Sequence, residues 1–309
     1  MHSFLPVGAL LFNALVWGVS WWPFRFLHAR GLHPLWATAL MYVLAVAVLL
    51  VLRPQALALA RRHPALWLLA LATGLTNVCF NWAMAVGDVV RVVLLFYLMP
   101  AWSVLLAWRV LGDVPTPMAL ARLVLAFAGV ALVLLPAGTG WAQLLQMGSS
   151  LSGVDALALL GGFSFALVNV TLRRLYRVPG EARMVAMFGG GALLATLGAS
   201  AGMAAGVVAA PPALAPAWAA VALALTLAFL LGNYALQYGA ARLAAGTTAL
   251  VMLSEVLFAS ASSWWLGAAV LAPRTLAGGA LIVLAALLAT LPARRSSSSG
   301  NGHRAGAAH

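Results

Sequence analysis

Long apolar runs, separated by short connections rich in proline, glycine and arginine, constrain this chain more than any other feature. Hydrophobic residues make up 64% of its 309 residues, charged residues only 7%, and the mean hydropathy is +1.04. A soluble domain needs a far more highly charged surface. A helix crosses the hydrocarbon core of a bilayer with about 20 apolar residues. The sequence therefore predicts an all-α integral membrane protein.

Breaks in the hydrophobic pattern predict ten transmembrane helices. Their predicted bounds are 5–24, 34–52, 64–86, 90–111, 117–136, 152–172, 184–209, 216–239, 245–267 and 273–292. The longest connection, around 137–151, is polar and rich in glycine. The C-terminal stretch 293–309 is of low complexity, and we expect it to be a disordered cytoplasmic tail.

The placement of the arginines predicts the orientation in the membrane. All 17 basic residues are arginines. If the N-terminus is cytoplasmic, the outer ends of the predicted spans hold Arg25, Arg30, Arg91 and Arg274, and the others fall on the cytoplasmic side. This bias follows the positive-inside rule and predicts an inner cell-membrane protein with both termini in the cytoplasm. It also accounts for the net charge of +12 without a nucleic-acid partner.

The two halves of the chain resemble each other. The segment NWAMAVGD at 81–88 matches NYALQYGA at 233–240 in its Asn, its aromatic residue, its Ala and its Gly. Because a repeat of five helices is odd in number, the second copy enters the membrane upside down. Inverted repeats are typical of transporters, whose substrate site lies near the midplane where the halves meet. We therefore expect repeats at 1–136 and 152–292, joined by an outer loop at 137–151, around a central cavity.

In their order and spacing, several segments resemble the drug/metabolite transporter superfamily, EamA type. They are ALVWGVSWWPFRFL at 14–27, FSFALVNVTLRR at 163–174, NYALQYGAARLAAGTTALVMLSEVLFA at 233–259 and LAGGALIVLAALLA at 276–289. The resemblance implies ten helices in inverted five-helix repeats around a central cavity. It also implies a transporter, since members mostly export amino acids, other small metabolites or drugs.

Glu255 is the only acidic residue deep inside a predicted span. A charge at the centre of a bilayer costs about 3 kcal/mol on insertion scales, so such residues normally face the protein interior or a wet cavity. The carboxylate could exchange a proton or bind the ammonium group of a substrate. It could equally be a neutral carboxyl that joins helices by hydrogen bonds. Its position favours a functional role.

Buried amides form a second group of candidate cavity residues. Asn77 and Asn81 lie one helical turn apart, as do Asn233 and Gln237, so each pair shares one helix face. Because Asn81 and Asn233 match in the repeat, we expect them to meet near the centre of the bundle. Asn169 lies in the corresponding first helix of the second half. Amides can bind the charged groups of a zwitterion or join helices together.

Aromatic residues and one proline complete the candidate cavity. Trp17 and Trp21 are four residues apart and could form an aromatic stripe on the first helix. Pro100 interrupts the fourth helix and frees the carbonyl of Phe96, which predicts a kinked, cavity-lining helix or a purely steric kink. Four further residues match cavity positions only through the repeat and the family resemblance: Trp82, Tyr97, Phe165 and Tyr234.

The sequence shows no pattern typical of an enzyme. It has no glycine-rich phosphate loop, no metal-ligand spacing and no nucleophile elbow, and its one cysteine is Cys79. We therefore expect a secondary transporter without cofactor or metal that exports a small amphipathic metabolite such as an amino acid, with protons as the candidate coupling ion. The alternatives are drug or cation efflux by the same fold, or a membrane enzyme or scaffold that acts on a lipid-borne partner. A monomer and a homodimer both remain open.

Overall fold

The computed structural model describes residues 4–86, 89–134, 142, 151–267 and 272–290, and every secondary-structure element among them is a helix. Most of the predicted loop at 137–151 and the whole of the predicted tail at 293–309 lie outside these residues.

Fourteen α-helices, numbered here in chain order, and one π-helical turn at Ala107–Leu111, directly after α7, make up the described part of the chain. The first half contains α1 (Phe4–Val19), α2 (Trp21–His28), α3 (Pro34–Leu52), α4 (Ala56–Arg61), α5 (Leu66–Val86), α6 (Val89–Phe96), α7 (Met99–Leu106) and α8 (Pro117–Leu134). The second half contains α9 (Gly153–Arg174), α10 (Gly180–Ala204), α11 (Pro216–Ala240), α12 (Ala245–Met252), α13 (Glu255–Trp265) and α14 (Pro273–Thr290).

The protein is a multi-pass membrane protein. In the described part of the chain, nine helical segments are long and apolar enough to cross a membrane, and Pro273–Ala289 is a shorter apolar helix. These ten segments occupy the ten predicted positions. The largest difference is at the predicted span 184–209, which is Gly180–Ala204 in the structure. Its first turn contains Glu181, and an acidic residue stabilises a helix N-terminus, so the helix begins earlier than hydrophobicity alone indicates.

The fourth membrane-spanning segment is broken near its middle. Helix α6 ends at Phe96 and α7 begins at Met99, so Tyr97 and Leu98 lie in a turn between them. Pro100 lies in the first turn of α7, where a proline is tolerated because its missing N–H would have no partner in any case. The predicted interruption near Pro100 is therefore a complete break of the helix.

The ninth membrane-spanning segment is broken in the same way. Helix α12 ends at Met252 and α13 begins at Glu255, with Leu253 and Ser254 in the turn. The Ser254 hydroxyl donates a hydrogen bond of 2.7 Å to the carbonyl of Val251. A serine that bonds to a nearby carbonyl offers the backbone an alternative to the helix ladder, so this break forms without a proline.

The helices of each half pack chiefly against those of the other half. Helix α1 contacts α11 and α13, while α5 contacts α9 and α10. Helix α3 packs against α10, α7 against α12, and α8 against α14. The buried core therefore lies between the halves, and the two broken segments meet there.

Glycines allow the closest helix crossings. A Cβ atom at Gly129 in α8 would lie 2.7 Å from the carbonyl oxygen of Gly278 in α14, and one at Gly278 would lie 2.6 Å from that of Gly129. A Cβ atom at Gly74 in α5 would lie 2.6 Å from the carbonyl oxygen of Gly190 in α10. Without a hydrophobic driving force between helices in lipid, such close backbone packing is what holds them together.

Candidate substrate-binding cavity

A narrow cavity of about 50 Å³ lies between the two halves, beside both helix breaks. This volume has room for a few water molecules. Its wall is mostly apolar and aromatic. The predicted site residues on this wall are Trp17, Asn77, Phe165, Asn233 and Glu255.

Glu255 is the only acidic residue that the described part of the chain contributes to this wall. It is the first residue of α13, directly after the break, and its side chain is half-buried. The positive end of the helix dipole at this terminus favours a carboxylate. The hydroxyl of Tyr97, in the other break, is close enough to Glu255 for the two side chains to interact. The two breaks therefore lie next to each other at the one acidic side chain that the described residues bring to the cavity.

Two glycines hold the backbone of the breaks against neighbouring helices. A Cβ atom at Gly18 in α1 would lie 2.7 Å from the carbonyl oxygen of Glu255. A Cβ atom at Gly162 in α9 would lie 2.5 Å from the carbonyl oxygen of Phe96, which the sequence predicts to be freed by Pro100. A larger residue at either position would push the broken segment away, so the shape of the cavity depends on both contacts.

Two amides supply neutral polar groups to the cavity. Asn77 donates a hydrogen bond of 2.8 Å to the carbonyl of Thr73, and its oxygen accepts one of 3.0 Å from the hydroxyl of Tyr42. Asn233 donates a hydrogen bond of 2.9 Å to the carbonyl of Phe229. These bonds fix the orientation of both amide side chains at the cavity wall.

Aromatic rings form much of the remaining wall. Trp17 packs edge-on against Phe229, with 4.4 Å between ring centroids. Phe96 lies between Phe80 and Phe165, at centroid distances of 4.6 and 6.1 Å. A carboxylate beside aromatic rings suits a ligand that carries a positive charge on an apolar body.

Comparison with known proteins finds a family and a solved structure that are similar to this chain. Residues 5–135 match the model of the EamA-like transporter family. The match covers the first five membrane-spanning segments, which is less than half of the chain. A solved crystal structure is similar over 96% of this chain and 99% of its own, with 21% identity and a TM-score of 0.75, a likeness that shows the fold alone. Comparison with curated proteins gives no match.

Transporters of the EamA-like family are carriers without enzymatic activity that move small-molecule substrates. Among the residues that the structure describes, no group of three or more His, Cys, Asp or Glu side chains could hold a metal ion.

Two predicted cavity residues have other partners. The indole of Trp21 donates a hydrogen bond of 2.9 Å to the Ser262 hydroxyl. Trp21 does not share a helix face with Trp17, because α1 ends at Val19 and Trp21 is the first residue of α2. The amide of Asn81 donates a bond of 2.8 Å to the Thr38 hydroxyl, outside the cavity wall.

Asn81 and Asn233, which the repeat predicts to lie close together, are not joined by a hydrogen bond among the described residues. Their amide groups donate to the Thr38 hydroxyl and to the Phe229 carbonyl. Asn77, one turn before Asn81, shares the cavity with Asn233 instead.

The remaining predicted residues of the site surround the cavity or lie apart from it. Tyr97 and Pro100 are buried behind the wall. Asn169 is wholly buried, and neither of its amide atoms has a hydrogen-bond partner in the described structure. Three residues face elsewhere: Trp82 packs against Val208, while Gln237 and the 63% exposed Tyr234 line a second pocket.

Several cavity residues were missed by the sequence analysis. Tyr42, Thr73, Thr76 and Met99 line the wall. Thr73 lies one turn before Asn77, so the face that the amides define could have identified it. Tyr42 and Met99 carry no such signal, since their segments are apolar on all sides.

Proposed function

We propose that this EamA-like transporter is a secondary transporter that exports a small amphipathic metabolite, such as an amino acid, by alternating access. The observation that carries the proposal is Glu255, a single carboxylate in a mostly apolar cavity at the meeting point of two broken helices. An acidic residue within a membrane span is by default a candidate for substrate or proton binding.

The finer architecture belongs to the same proposal: ten spans form two inverted five-helix repeats, 1–136 and 152–292, around the cavity. The matching breaks in the fourth and ninth segments support it. Both segments end at a glycine with left-handed backbone, Gly112 at φ 76° and Gly267 at φ 68°. The helix contacts support it as well. If each helix of one half is replaced by its counterpart in the other half, the contact of α1 with α11 becomes the contact of α9 with α5, and the structure contains both.

Each part of a zwitterionic substrate has a complementary group in the cavity. Its ammonium would pair with Glu255, and its carboxylate would accept hydrogen bonds from amides such as Asn77 and Asn233. Trp17 and Phe165 would contact the apolar part. Because the cavity of about 50 Å³ is smaller than such a substrate, the halves must move apart to admit it, and the breaks are the natural hinges.

Proton coupling follows from the same carboxylate. A proton and an ammonium group compete for Glu255, so binding of one displaces the other. An exchanger needs this property, because the carrier must not release both ligands on the same side. We therefore propose that Glu255 changes its protonation state during the transport cycle.

Efflux of drugs or organic cations is the second candidate function. The aromatic rings around Glu255 favour it, because a cation on an apolar body gains from both the rings and the carboxylate. Such a substrate needs no partner for a carboxylate, so it would leave Asn77 and Asn233 unused.

Counterflow in liposomes that contain the purified chain tests these proposals. Labelled zwitterionic amino acids, hydrophobic cations and neutral analogues of similar size are offered in parallel. We expect saturable counterflow of a zwitterion, and its loss in Asn77→Ala. Counterflow of the cations alone, unaffected by Asn77→Ala, would favour drug efflux, and no counterflow of any of them would overturn the proposal.

A further inference from the structure

A second pocket of about 710 Å³ lies at the end of the bundle where α3 ends, α10 begins and α11 ends. It is distinct from the cavity at Glu255, although α10 and α11 contribute to both. Three arginines from three membrane-spanning segments line it: Arg53, Arg183 and Arg242. All three belong to the end of the bundle that the arginine bias predicts to be cytoplasmic.

Buried donors without partners face this pocket. Arg183 is 7% exposed, and its Nε and Nη1 atoms have no hydrogen-bond partner in the described structure. Gln237 is 3% exposed, and its Nε2 atom likewise has none among the described residues. A buried guanidinium is strongly unfavourable unless an acceptor pairs with it. The pocket therefore requires a ligand that supplies acceptor oxygens.

The charge of the pocket is positive. The guanidinium of Arg242 lies 3.7 Å from the centroid of the Tyr238 ring, and its Nη1 donates a bond of 3.0 Å to the Tyr238 carbonyl. Glu181 is the one acidic residue of the lining. Within the described residues it forms no salt bridge with an arginine. The three arginines thus leave a net charge for an anion to neutralise.

The start of α10 adds to this preference. The helix has 25 residues, its N-cap residue is Pro179, and no side chain caps its first turn. The leading N–H groups and the helix dipole of such a terminus favour a phosphate or carboxylate group. Gly180, the first residue of the helix, lines the pocket.

We propose that this pocket binds the phosphate group of an anionic membrane lipid. The phosphate chemistry follows from the arginines, whose planar groups bind phosphate oxygens in pairs. We assign the phosphate to a lipid because the rest of the pocket wall includes exposed leucine side chains. Leu52, Leu227 and Leu231 are 68%, 46% and 61% exposed. These side chains give acyl chains an apolar surface directly beside the arginines, which a free phosphate ion could not use.

Thermal unfolding of the purified full chain in a neutral detergent tests the proposal. Phosphatidylglycerol, phosphatidylcholine and inorganic phosphate are titrated separately. We expect a saturable rise in Tm with phosphatidylglycerol. Phosphatidylcholine should produce much less, because its choline group is repelled by the three arginines. An equal rise with phosphatidylcholine would overturn the proposal, and an equal rise with inorganic phosphate would overturn the lipid assignment.

Arg183→Gln removes the buried charge and keeps donor groups. We expect it to weaken the apparent affinity for phosphatidylglycerol about tenfold or more, since hydrogen bonds to charged groups are the strong ones. Without lipid, its Tm should equal or exceed that of the wild type, because an unpaired buried charge has been removed. A purely structural arginine would instead lower Tm without lipid.

Arg62→Gln is the matched control. Arg62 is exposed, lies at the same predicted cytoplasmic end and is outside this pocket, so its loss should leave lipid binding unchanged. Equal weakening in both variants would show a general charge effect and would overturn the proposal. The measurement reads binding without transport, so its outcome is independent of the proposed function.

Discussion

The hydroxyl of Tyr97 lies close enough to the carboxyl group of Glu255 for the two to interact. Tyr97 lies in the break between α6 and α7, and Glu255 starts α13 after the break between α12 and α13. This pair thus brings together the two places where the membrane-spanning backbone is interrupted. A ligand that binds Glu255 changes the surroundings of Tyr97 and can alter how the broken segments pack against each other.

Glu255→Gln keeps the size of the side chain and its hydrogen-bonding capacity but cannot exchange a proton. We expect transport to stop, or to proceed at a rate that no longer changes with pH, while the protein still inserts into the membrane. Uptake into proteoliposomes between pH 5.5 and 8.5 measures this. Glu181→Gln, outside the cavity, serves as the control. A wild-type pH profile in Glu255→Gln would assign Glu255 a structural role.

Tyr97→Phe removes only the hydroxyl that interacts with Glu255. We expect the transport rate to fall by up to about tenfold, since a polar contact with a charged group contributes up to about 1.5 kcal/mol. The same substitution is also made in the Glu255→Gln variant, where the residual transport rate or the substrate affinity is measured. There Tyr97→Phe should have a much smaller effect, because the two residues act as a pair. Tyr234→Phe is the control, since Tyr234 is 63% exposed. Additive effects would disprove the coupling.

Gly189 and Gly190 offer a neighbouring pair with opposite expected effects. A Cβ atom at Gly190 would overlap the Ala70 carbonyl of α5, whereas one at Gly189 would meet nothing within 4 Å. We expect Gly190→Ala to destabilise the protein by about 1–3 kcal/mol. Gly189→Ala should be neutral or stabilising by up to about 1 kcal/mol, because alanine favours helix. Thermal unfolding in detergent compares them, and similar Tm values for both variants would contradict the packing.

His33 predicts a dependence of stability on pH. Its Nδ1 accepts a hydrogen bond of 3.2 Å from the backbone N–H of Leu35 and so caps α3. Burial, together with the neighbouring His28, lowers the pKa of His33 below its ordinary value of 6.5. The unfolded chain therefore binds the proton more readily, and this contribution to stability is complete above about pH 6.5 and is lost as the pH falls below that value and through the lowered pKa of His33.

His33→Asn keeps a capping acceptor but cannot be protonated. We expect the decrease in Tm between pH 7.5 and pH 5 to become smaller in this variant. His63→Asn, in the connection after α4, should behave like the wild type. An unchanged slope in His33→Asn would show that other groups cause the acid sensitivity.

The orientation is tested by labelling single cysteines in a Cys79→Ser background. Ala29 and Arg62 are exposed at opposite ends of the bundle. If both termini are cytoplasmic, a membrane-impermeant maleimide added to intact cells should label Ala29→Cys and leave Arg62→Cys unlabelled until the membrane is opened. The reverse pattern would disprove the orientation that the arginine bias predicts.

Much of the fold was predictable because lipid restricts the choices. Every backbone polar group in the hydrocarbon core must be satisfied within the protein, so long apolar runs become helices. The number and positions of the membrane-spanning segments follow from this rule. The family resemblance followed from the order of short segments, and the match over residues 5–135 confirms it.

The candidate site was only partly predictable. Glu255, Trp17 and Asn233 could be selected because polar or aromatic residues in membrane spans are conspicuous against an apolar background. The choice between Asn77 and Asn81 could not be made in this way. They lie on one helix face, and only the position of α5 against its neighbours decides that Asn77 faces the cavity while Asn81 bonds to Thr38.

The sequence by itself determined that the chain lies in a membrane, where its helices are and which side chains are too polar for lipid. These properties depend on the free energy of transfer of each segment, which is a local quantity. Only the tertiary structure decided that Tyr97 meets Glu255, that Trp21 turns away from Trp17, and that Arg183 and Gln237 lie in one pocket. Those contacts depend on how close two backbones can approach, and glycines such as Gly18 and Gly162 set that distance from positions far away in the chain.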